Sequence, residues 1–586
     1  MDLIKKERII NLILILDCIL IVFSVIGFYN TRPNGYEVSL YTSIPIYIWA
    51  MWYGVVISNL IISVYAINIR GLRKKYWYFA LLLLSICGMI FTSLPIIRKY
   101  TFWGRGDPVS HRQWIDVILS TGHSPEGLIY PISHEWIVET FYLTGISPEV
   151  LLLFFNIFLI IPAILSLYLL ATVFLTSTSQ KNMYVIYLIV MFTSMGVYFF
   201  PTTLANKIYP LIVWLFLMCI GGRSNRIPEF TLLLFIMIVL AVPFHPNVVM
   251  ALMVVFATLG AYAKFSSGVT KKTVLTRDPV TIIALLSITF IFWISQFYLF
   301  YHTVAKVIDA IVTETRETAL SSLTSNIELA VNYGYSPLEM FLKTYGNSLI
   351  IFLYAVVAFF VLLERVKSDK SAYKLLSLCL PIFAFFVITG LMYLVDLGFG
   401  PDRMFNYGVG LCVILMVFVF DILSQKSLRI LNQTLKIGFL IIIFSLVLMN
   451  GLMVMTYYPS PFLLKPNDQF TQSEEDGVMW FTTHTQGAKT VIFMTLGEYM
   501  KRNGYVVTHP PYHFNYSNSN YAGTSFSSDQ YMILNKLDRL QYVDVLPRMA
   551  QYRWYLSDFS RLPLDSSVDR YYTNGETEVW YIHALS

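Results

Sequence analysis

Long apolar runs, separated by short polar connections, make up most of the chain. A helix that crosses about 30 Å of hydrocarbon needs about 20 apolar residues. About thirteen segments meet that length, and their ends are approximate. They lie near 9–29, 45–67, 77–97, 149–175, 183–200, 208–221, 229–245, 247–264, 280–301, 347–364, 374–395, 404–424 and 436–457. The pattern predicts a polytopic α-helical membrane protein with about 13 transmembrane helices in residues 1–457.

The last part of the chain has a different pattern. Residues 458–586 have an ordinary polar composition, in which Ser473 to Thr483 predicts a helix and Thr490 to Met494 a buried strand. Two further strands flank Asn574-Gly575, a dipeptide typical of hairpin turns, and 509–528 is predicted to be a long loop. We therefore expect a small α/β domain after the membrane domain.

Two long connections, at about 98–148 and 302–346, contain short amphipathic stretches. In the first, Ser110 with Gln113 resembles a helix capping box, and a second helix is predicted after Pro131. In the second connection the apolar residues of one helical face oppose a charged face. The apolar face comprises Val304, Val307, Ile308, Ile311 and Val312, and the charged face Asp309, Glu314 and Arg316. These pieces are expected to lie in the membrane interface and to wall off a cavity. Solvated connectors are the alternative.

Composition supports a membrane protein. Hydrophobic residues make up 56% and charged residues 13% of the 586, and the mean hydropathy is +0.62. Soluble chains are about 45–50% apolar and about 25% charged. A soluble enzyme, a disordered protein and a fibrous repeat are excluded. The five cysteines all fall in apolar runs, so neither a disulfide framework nor a metal cluster is indicated. The first apolar run lacks a cleavage site and is interpreted as an uncleaved helix.

The cations indicate an orientation. The net charge is only +6, from 41 Lys and Arg against 35 Asp and Glu. With a cytoplasmic N-terminus, every inside loop is basic, as the positive-inside rule requires. Those loops contain Arg70, Arg73, Lys74, Lys75, Lys181, Arg223, Arg226, Lys264, Lys271, Lys272, Arg277, Arg365, Lys367, Lys370, Lys374, Lys426, Arg429 and Lys436. The prediction is a multi-pass plasma-membrane protein with an extracytoplasmic C-terminal domain and no nucleic-acid partner.

Candidate chemistry is concentrated in the first long loop. Asp107 stands in a turn punctuated by Gly104, Gly106 and Pro108, at the outer membrane surface. A carboxylate there is suited to take a proton from an acceptor hydroxyl, because partial desolvation makes it a better base. The alternative is that Asp107 only caps a turn.

An Asp in the first large outer loop, interfacial helices in that loop, many spans and an outer α/β domain together resemble the GT-C superfamily. These integral membrane glycosyltransferases use polyprenyl-phosphate-linked sugars, and the likeness is closest to prokaryotic, archaeal-type members. The chain departs from the oligosaccharyltransferase branch, because no Trp-Trp-Asp-Tyr-Gly occurs in its C-terminal domain. Transfer to protein Asn is therefore disfavoured. The paired acidic motif is also missing, so a second carboxylate must come from Asp116, Glu126 or Glu135.

A leaving phosphate needs a cation. Arg403 is the leading candidate, because it stands where the twelfth span begins and a guanidinium at a helix N-terminus favours phosphate. Similar GT-C enzymes place an Arg late in the membrane domain near the lipid phosphate. A snorkelling interfacial Arg is the alternative. Lys207, expected in a short outer turn between the fifth and sixth spans, is the second candidate.

Histidines gather near the same face. Substrate or phosphate binding is assigned to His111, His134 and His245, together with Arg105 and Glu135. A divalent-metal site is the less favoured alternative, since the spacing matches no compact ligand motif. No cofactor and no metal ligand is predicted.

The sequence thus predicts an inverting glycosyltransferase for glycan biosynthesis in the cell envelope. It would move a hexose or pentose from a polyprenyl-phosphate donor to a hydroxyl of a glycan, lipid or protein acceptor. A transporter or flippase for lipid-linked sugars is an alternative, with Asp17 as its clear charge within a span. A surface-polysaccharide polymerase or ligase is another, kept open by Arg105, Arg112 and His111.

Overall fold

The fold is taken from a computed structural model of the whole chain. The structure describes residues 2–68, 74–191, 200–221, 227–270, 278–298, 301–302, 304–305, 308–309, 318–366, 370–394, 400–429, 433–485, 487–493, 496–502 and 504–585.

A helical bundle forms the larger part of the protein. Within the described ranges, eleven helical segments are long and apolar enough to cross a membrane. The helices of this part are α1 (Asp2–Asn30), α2 (Leu40–Ser43), α3 (Ile46–Asn68), α4 (Lys74–Thr92), α5 (Leu94–Ile97), α6 (Asp107–Thr121), α7 (Ile132–Thr144), α8 (Pro148–Phe158), α9 (Ile160–Phe174), α10 (Thr178–Val190), α11 (Pro201–Gly221), α12 (Ile227–Phe244), α13 (Pro246–Thr270), α14 (Pro279–Ile294), α15 (Ala319–Asn332), α16 (Pro337–Arg365), α17 (Lys370–Leu376), α18 (Cys379–Leu394), α19 (Asp402–Arg429) and α20 (Gln433–Tyr457).

The eleven spans coincide with eleven of the thirteen predicted segments, and α8 with α9 forms one of them. The predicted segment 280–301 corresponds to α14, which has only 16 residues. The predicted segment 183–200 overlaps α10 and continues into 192–199, which lies outside the described residues. The polytopic helical fold is confirmed.

The helices of the bundle differ in how deeply they are buried, as expected for a protein that is surrounded by lipid. The span in α19 is central, with 78% of the residues buried in an apolar stretch of 18 residues, whereas only 28% are buried in the corresponding stretch of α1. Leu12 and Val22 of α1 are exposed, as side chains that face hydrocarbon would be. Asp17 is buried, and its Oδ2 accepts hydrogen bonds from Ser58 Oγ (2.7 Å) and Asn59 Nδ2 (2.8 Å) of α3. Asp17, the charged residue within the first span, therefore makes a polar contact between α1 and α3.

The first long loop folds into α6 and α7. The predicted capping box at Ser110 and Gln113 is wrong, because α6 begins three residues earlier and Ser110 is a buried residue within the helix. Asp107-Pro108 starts the helix, since proline is preorganised for the first helical turn. The second predicted piece is confirmed as α7, with Pro131 before its first residue. Most of the amphipathic stretch predicted at 304–316 lies outside the described residues.

The C-terminal region contains a five-stranded mixed sheet. Its strands are β3 (Thr490–Ile492), β4 (Val507–Thr508), β5 (Gln530–Asn535), β6 (Val568–Thr573) and β7 (Thr577–Ile582), and they lie in the order β4–β3–β5–β7–β6. The helices of this region are α21 (Gln472–His484), α22 (Gly497–Arg502), α23 (Lys536–Leu540) and α24 (Leu556–Arg561). Strand β3 is parallel to β4 and β5, and the other pairs are antiparallel. The predicted hairpin is confirmed, and Gly575 supplies its left-handed residue (φ +92°).

A second, two-stranded sheet joins the C-terminal domain to the first loop. Strand β1 (Phe102–Trp103) precedes α6, and β2 (Gln469–Phe470) precedes α21. They pair antiparallel, with Phe102 opposite Phe470 and Trp103 opposite Gln469. The loop that carries Asp107 is therefore bonded to the C-terminal domain by backbone hydrogen bonds. The end of the bundle that carries this domain is called the domain side below.

Candidate functional site

Asp107 is the first residue of α6 and follows Gly106, whose φ of +70° turns the chain into the helix. Its side chain is exposed. Within the part of the chain that the structure describes, its carboxylate makes no hydrogen bond and no ion pair. Asp107 is therefore available to an incoming group.

Arg105 holds the loop just before Asp107. Its Nη2 donates to both carboxylate oxygens of Glu474, at 2.9 and 2.7 Å, and to the carbonyl of Gln469. The Arg105 side chain is 8% exposed and that of Glu474 is fully buried. Gly104 N also donates to Asp468 O at 2.9 Å. These contacts fix the turn against α21, so Arg105 is engaged with the C-terminal domain.

A second ion-pair group lies on the other face of α6. Arg112 Nη2 bonds Glu475 Oε1 (2.7 Å) and Glu149 Oε1 (3.0 Å). Burial raises the pKa of the Asp116 carboxyl, Arg112 opposes that shift, and Glu149 adds to it. Asp116 is nine residues beyond Asp107, which is two and a half turns at about 3.6 residues per turn. Asp116 therefore lies on the face of α6 opposite Asp107.

Two histidines pack together on the Asp107 face. His111 is one turn after Asp107, and its Nδ1 lies 3.0 Å from His134 Nε2 of α7. Both rings are buried, with Trp114 and Tyr130 against them. Burial lowers the pKa of His134 from 6.5 to about 4. At neutral pH the His134 ring is therefore uncharged.

His245 extends this group across the bundle. Its ring stacks on Tyr130, with centroids 5.0 Å apart. The Asn247 amide donates to Nδ1 (3.2 Å), so Nε2 carries the proton and donates to Thr202 Oγ1 (2.8 Å). Burial, together with the nearby Arg403 charge, lowers the pKa of His245 to about 3. We call His111, Tyr130, His134 and His245 the ring cluster. Sequence reasoning assigned no role to Tyr130 or Thr202, although Tyr130 stands between clustered histidines.

Arg403 is the second residue of α19, as predicted for the start of a span. The preceding residues 395–399 of its predicted motif lie outside the described residues. Arg403 is exposed, and among the described residues it forms no hydrogen bond or ion pair. Its neighbour Asp402 accepts a hydrogen bond from the Tyr345 hydroxyl at 2.8 Å. An exposed guanidinium thus stands at a helix N-terminus beside the ring cluster.

An apolar cavity of about 770 Å³ runs down from this point between α16, α18 and α19. Its walls are almost entirely hydrocarbon and aromatic rings. They are formed by Phe341, Tyr345, Ser348, Leu349, Phe352, Ala355, Val356, Phe359, Phe360, Cys379, Ile382, Phe383, Phe386, Thr389, Gly390, Tyr393, Asp402, Phe405, Cys412 and Leu415. From Phe341 to Phe360 the cavity follows α16 for nineteen residues, or about 28 Å at 1.5 Å per residue. We call it the long cavity.

Lys207 is not in a turn, and that prediction of its position is wrong. Helix α11 begins at Pro201, so Lys207 lies within the helix and is buried. Its Nζ donates to the Asn156 carbonyl (2.7 Å) and to Asn156 Oδ1 (3.1 Å). Glu135 is half-buried and accepts from Ser124 Oγ at 2.8 Å. Glu126 is exposed on the loop between α6 and α7.

The structure therefore brings together only some of the predicted site residues. His245, Tyr130, His134 and His111 form a continuous series of neighbouring rings that ends one turn from Asp107, and the charge of Arg403 is near enough to lower the pKa of His245. Arg105 and Lys207 are instead engaged with Glu474 and Asn156. No group of three or more His, Cys, Asp or Glu side chains able to hold a metal ion occurs among the residues described.

No protein-family model and no curated protein sequence matches the chain. Among solved structures, the chain is similar to the archaeal oligosaccharyltransferase AglB from Archaeoglobus fulgidus, determined in complex with an inhibitory peptide and a dolichol-phosphate. The two are 12% identical, the TM-score is 0.45, and the alignment covers 87% of this chain and 75% of the other.

Proposed function

We propose that the protein is a membrane-embedded inverting glycosyltransferase. It takes a hexose or pentose from a polyprenyl-phosphate donor and transfers it to an acceptor hydroxyl on the domain side of the membrane. That side is the extracytoplasmic face of the plasma membrane, in keeping with the basic loops assigned to the cytoplasm. The proposal requires no cofactor.

One observation carries the proposal: the long cavity ends beside Arg403. A cavity with apolar walls inside a membrane bundle suits a hydrocarbon chain, because it offers water almost no hydrogen-bond partner. Arg403 stands next to Asp402 at the domain-side end of that cavity. A polyprenyl chain in the cavity would present its phosphate to the Arg403 guanidinium and to the N-terminus of α19, both of which favour an anion.

The proposed chemistry has one displacement step. Asp107 accepts the proton of the acceptor hydroxyl while that oxygen attacks the anomeric carbon from the face opposite the phosphate. The bond between the anomeric carbon and the phosphate oxygen breaks, and polyprenyl phosphate leaves with both electrons. Arg403 neutralises the charge that develops on the leaving oxygen. Attack from the opposite face inverts the anomeric configuration.

The ring cluster would line the space between these two residues. His134 and His245 are neutral because burial lowers the pKa of each, so Arg403 supplies the cation that the phosphate meets. His111, His134, His245 and Glu135 remain proposed contacts to the sugar or phosphate. Arg105 and Lys207, which the sequence also assigned to substrate or phosphate binding, are engaged with Glu474 and Asn156, so the proposed mechanism gives them no contact with the phosphate.

The rival functions have less support. A proton-coupled transporter would need Asp17 to titrate, but Asp17 serves as the acceptor in a contact between α1 and α3. A polymerase or ligase that relies on loop arginines would need Arg105 and Arg112 free. Both are paired with carboxylates of the C-terminal domain.

Release of polyprenyl phosphate from defined donors tests the proposal. Purified protein in nanodiscs is incubated with a panel of polyprenyl-phosphate hexoses and pentoses, and the freed lipid phosphate is measured. Asp107→Asn is expected to lower the rate by about 10²–10⁴-fold, the usual contribution of a general base. Glu139→Gln, an exposed carboxylate of α7, is the control and keeps the wild-type rate. Full activity of a folded Asp107→Asn protein would overturn the mechanism.

A further inference from the structure

A second apolar cavity lies next to α7. Its volume is about 250 Å³, and α7, α11, α12 and α13 contribute its walls. Every lining residue is apolar: Ile132, Trp136, Ala205, Ile208, Ile212, Met237, Leu240, Ala241, Phe244 and Val248. We call it the short cavity.

The short cavity lies against the ring cluster. Trp136 follows His134 by two residues on α7, and Phe244 directly precedes His245. The Trp136 and Phe244 rings contact each other, with centroids 6.5 Å apart. Neither histidine lines the short cavity, but Phe244 of its wall directly precedes His245, and Ala205 of its wall is about one turn after Thr202, which contacts His245. The short cavity therefore lies next to the His245 end of the ring cluster.

The depth of the short cavity sets the size of what it holds. Its lining follows α11 from Ala205 to Ile212, seven residues or about 10 Å at 1.5 Å per residue. These residues belong to the domain-side half of α11, whose first residue is Pro201. The cavity thus lies within one leaflet of the membrane, and its length suits the part of a hydrocarbon chain nearest to the head group.

The lining also selects the chemistry of the occupant. A peptide or sugar placed there would leave its polar groups buried without hydrogen-bond partners, which is unfavourable for each group. A hydrocarbon chain has no such groups, and burying each of its methylenes is favourable. An acceptor that occupies the short cavity must therefore be amphipathic. Its hydrocarbon chain would lie in the cavity, and its hydroxyl-bearing head group would lie at the ring cluster.

We propose that the acceptor is itself a membrane lipid, whose head group offers the hydroxyl while its chain occupies the short cavity. This inference rests on the proposed function and narrows its acceptor from glycan, lipid or protein to a lipid. The atom balance is that of the transfer step. The lipid hydroxyl loses its proton to Asp107, its oxygen bonds the anomeric carbon, and polyprenyl phosphate departs.

The first arm of the test measures binding without turnover. A glycosyl-diacylglycerol with a photoreactive diazirine in its acyl chain is incorporated into nanodiscs with the purified protein and irradiated. Labelling is expected in α7, α11 and α12, and it should fall about tenfold in Ala241→Phe, which fills the short cavity. Ala261→Phe, at an exposed position of α13, is the matched control. Labelling confined to other helices, or unchanged in Ala241→Phe, would overturn the inference.

The second arm compares two acceptors that share a head group. Glycosyl-diacylglycerol and its deacylated head group are supplied with the donor that the protein accepts. Wild type should use the lipid at least tenfold more efficiently in kcat/KM, and Ala241→Phe should remove that preference while the KM for the donor is unchanged. Equal use of both acceptors by wild type refutes the inference and leaves the proposed function standing.

The two arms separate the possible failures. If no donor releases polyprenyl phosphate, the proposed function fails, and the inference about the acceptor fails with it even if the short cavity binds lipid. If Ala241→Phe does not fold, Ala205→Leu adds a smaller volume to the same cavity and takes its place. Thermal unfolding in nanodiscs identifies a misfolded variant before either arm is scored.

Discussion

Arg105 donates two hydrogen bonds to the carboxylate of Glu474, and Arg105 is two residues before Asp107. Glu474 also closes the capping box of α21, because its Oε2 accepts from the Thr471 amide at 3.1 Å. One buried carboxylate therefore joins the start of a C-terminal helix to the turn that presents the proposed base. In the proposed reaction the C-terminal domain would position Asp107 without itself contributing a group.

Glu474→Gln should therefore impair a reaction in which the substituted side chain takes no part. It leaves the buried Arg105 charge unpaired, which costs about 3–5 kcal/mol of folding stability. In the folded fraction the turn loosens, and a misplacement near 1 Å costs on the order of 10²-fold in kcat. Thermal unfolding and steady-state transfer kinetics check both effects, and the KM for the donor should stay near the wild-type value.

Removing both charges distinguishes positioning from chemistry. The double variant Arg105→Gln with Glu474→Gln should recover most of the lost stability, because no charge is left unpaired. Glu328→Gln, an exposed carboxylate of α15, serves as the control for loss of a negative charge. An unchanged kcat in stable Glu474→Gln would show that the ion pair does not position Asp107.

Loss of Arg403 should weaken the use of the donor. A charge-assisted hydrogen bond contributes about 1.5–3 kcal/mol, so Arg403→Ala should lower kcat/KM for the polyprenyl-phosphate sugar by about 10–100-fold. Arg403→Lys keeps the charge but loses the fork geometry, so its kcat/KM should lie between those of the wild type and Arg403→Ala. Lys343→Ala, a cation on the same side of the bundle, is the control. Equal kcat/KM in Arg403→Ala and Lys343→Ala would remove Arg403 from the site.

The buried histidines should make stability depend on pH. The folded pKa of His134 is about 4, below its ordinary value of 6.5, because the buried ring resists protonation. The unfolded chain therefore binds a proton first, and His134 costs stability as pH falls from about 6.5 to about 4, by about 3 kcal/mol in all. Above pH 6.5 this loss is absent.

Unfolding temperatures between pH 4 and pH 7.5 measure this dependence in detergent. His134→Gln should remove the contribution of one proton to the pH dependence of the unfolding temperature. His245, whose pKa burial lowers to about 3, should account for a second proton. The exposed His123 provides a matched control, since His123→Gln should keep the wild-type curve. Parallel curves for His134→Gln and wild type would contradict a neutral buried His134.

Substitutions of Asp17 distinguish sugar transfer from proton-coupled transport. Asp17→Asn keeps an acceptor for Ser58 and Asn59, so folding and sugar transfer should both remain at wild-type levels. Asp17→Leu leaves those donors without this acceptor inside the bundle and should cost about 1–3 kcal/mol. Unfolding and transfer assays on the two variants check this. Loss of activity in a stable Asp17→Asn protein would favour a proton-linked role.

Some of the architecture could be predicted because its cause is local. Apolar segments long enough to cross hydrocarbon marked the spans, and Asn574-Gly575 marked the hairpin between β6 and β7. Arg403 was placed correctly at a helix N-terminus for the same reason. The start of α6 was missed, since Asp107-Pro108 is a weaker local signal than the Ser110 and Gln113 pattern that follows it.

The sequence by itself determined a polytopic helical protein with a C-terminal α/β domain, because hydrophobicity and turn chemistry act between near neighbours. Only the tertiary structure decided which polar residues share a site. Arg105 and Glu474 are 369 residues apart, and Tyr130 meets His245 across more than a hundred residues. Lys207 was expected in a turn between two spans but lies within α11, buried against Asn156. Such pairings depend on how the helices pack, and periodicity along one segment carries no information about that.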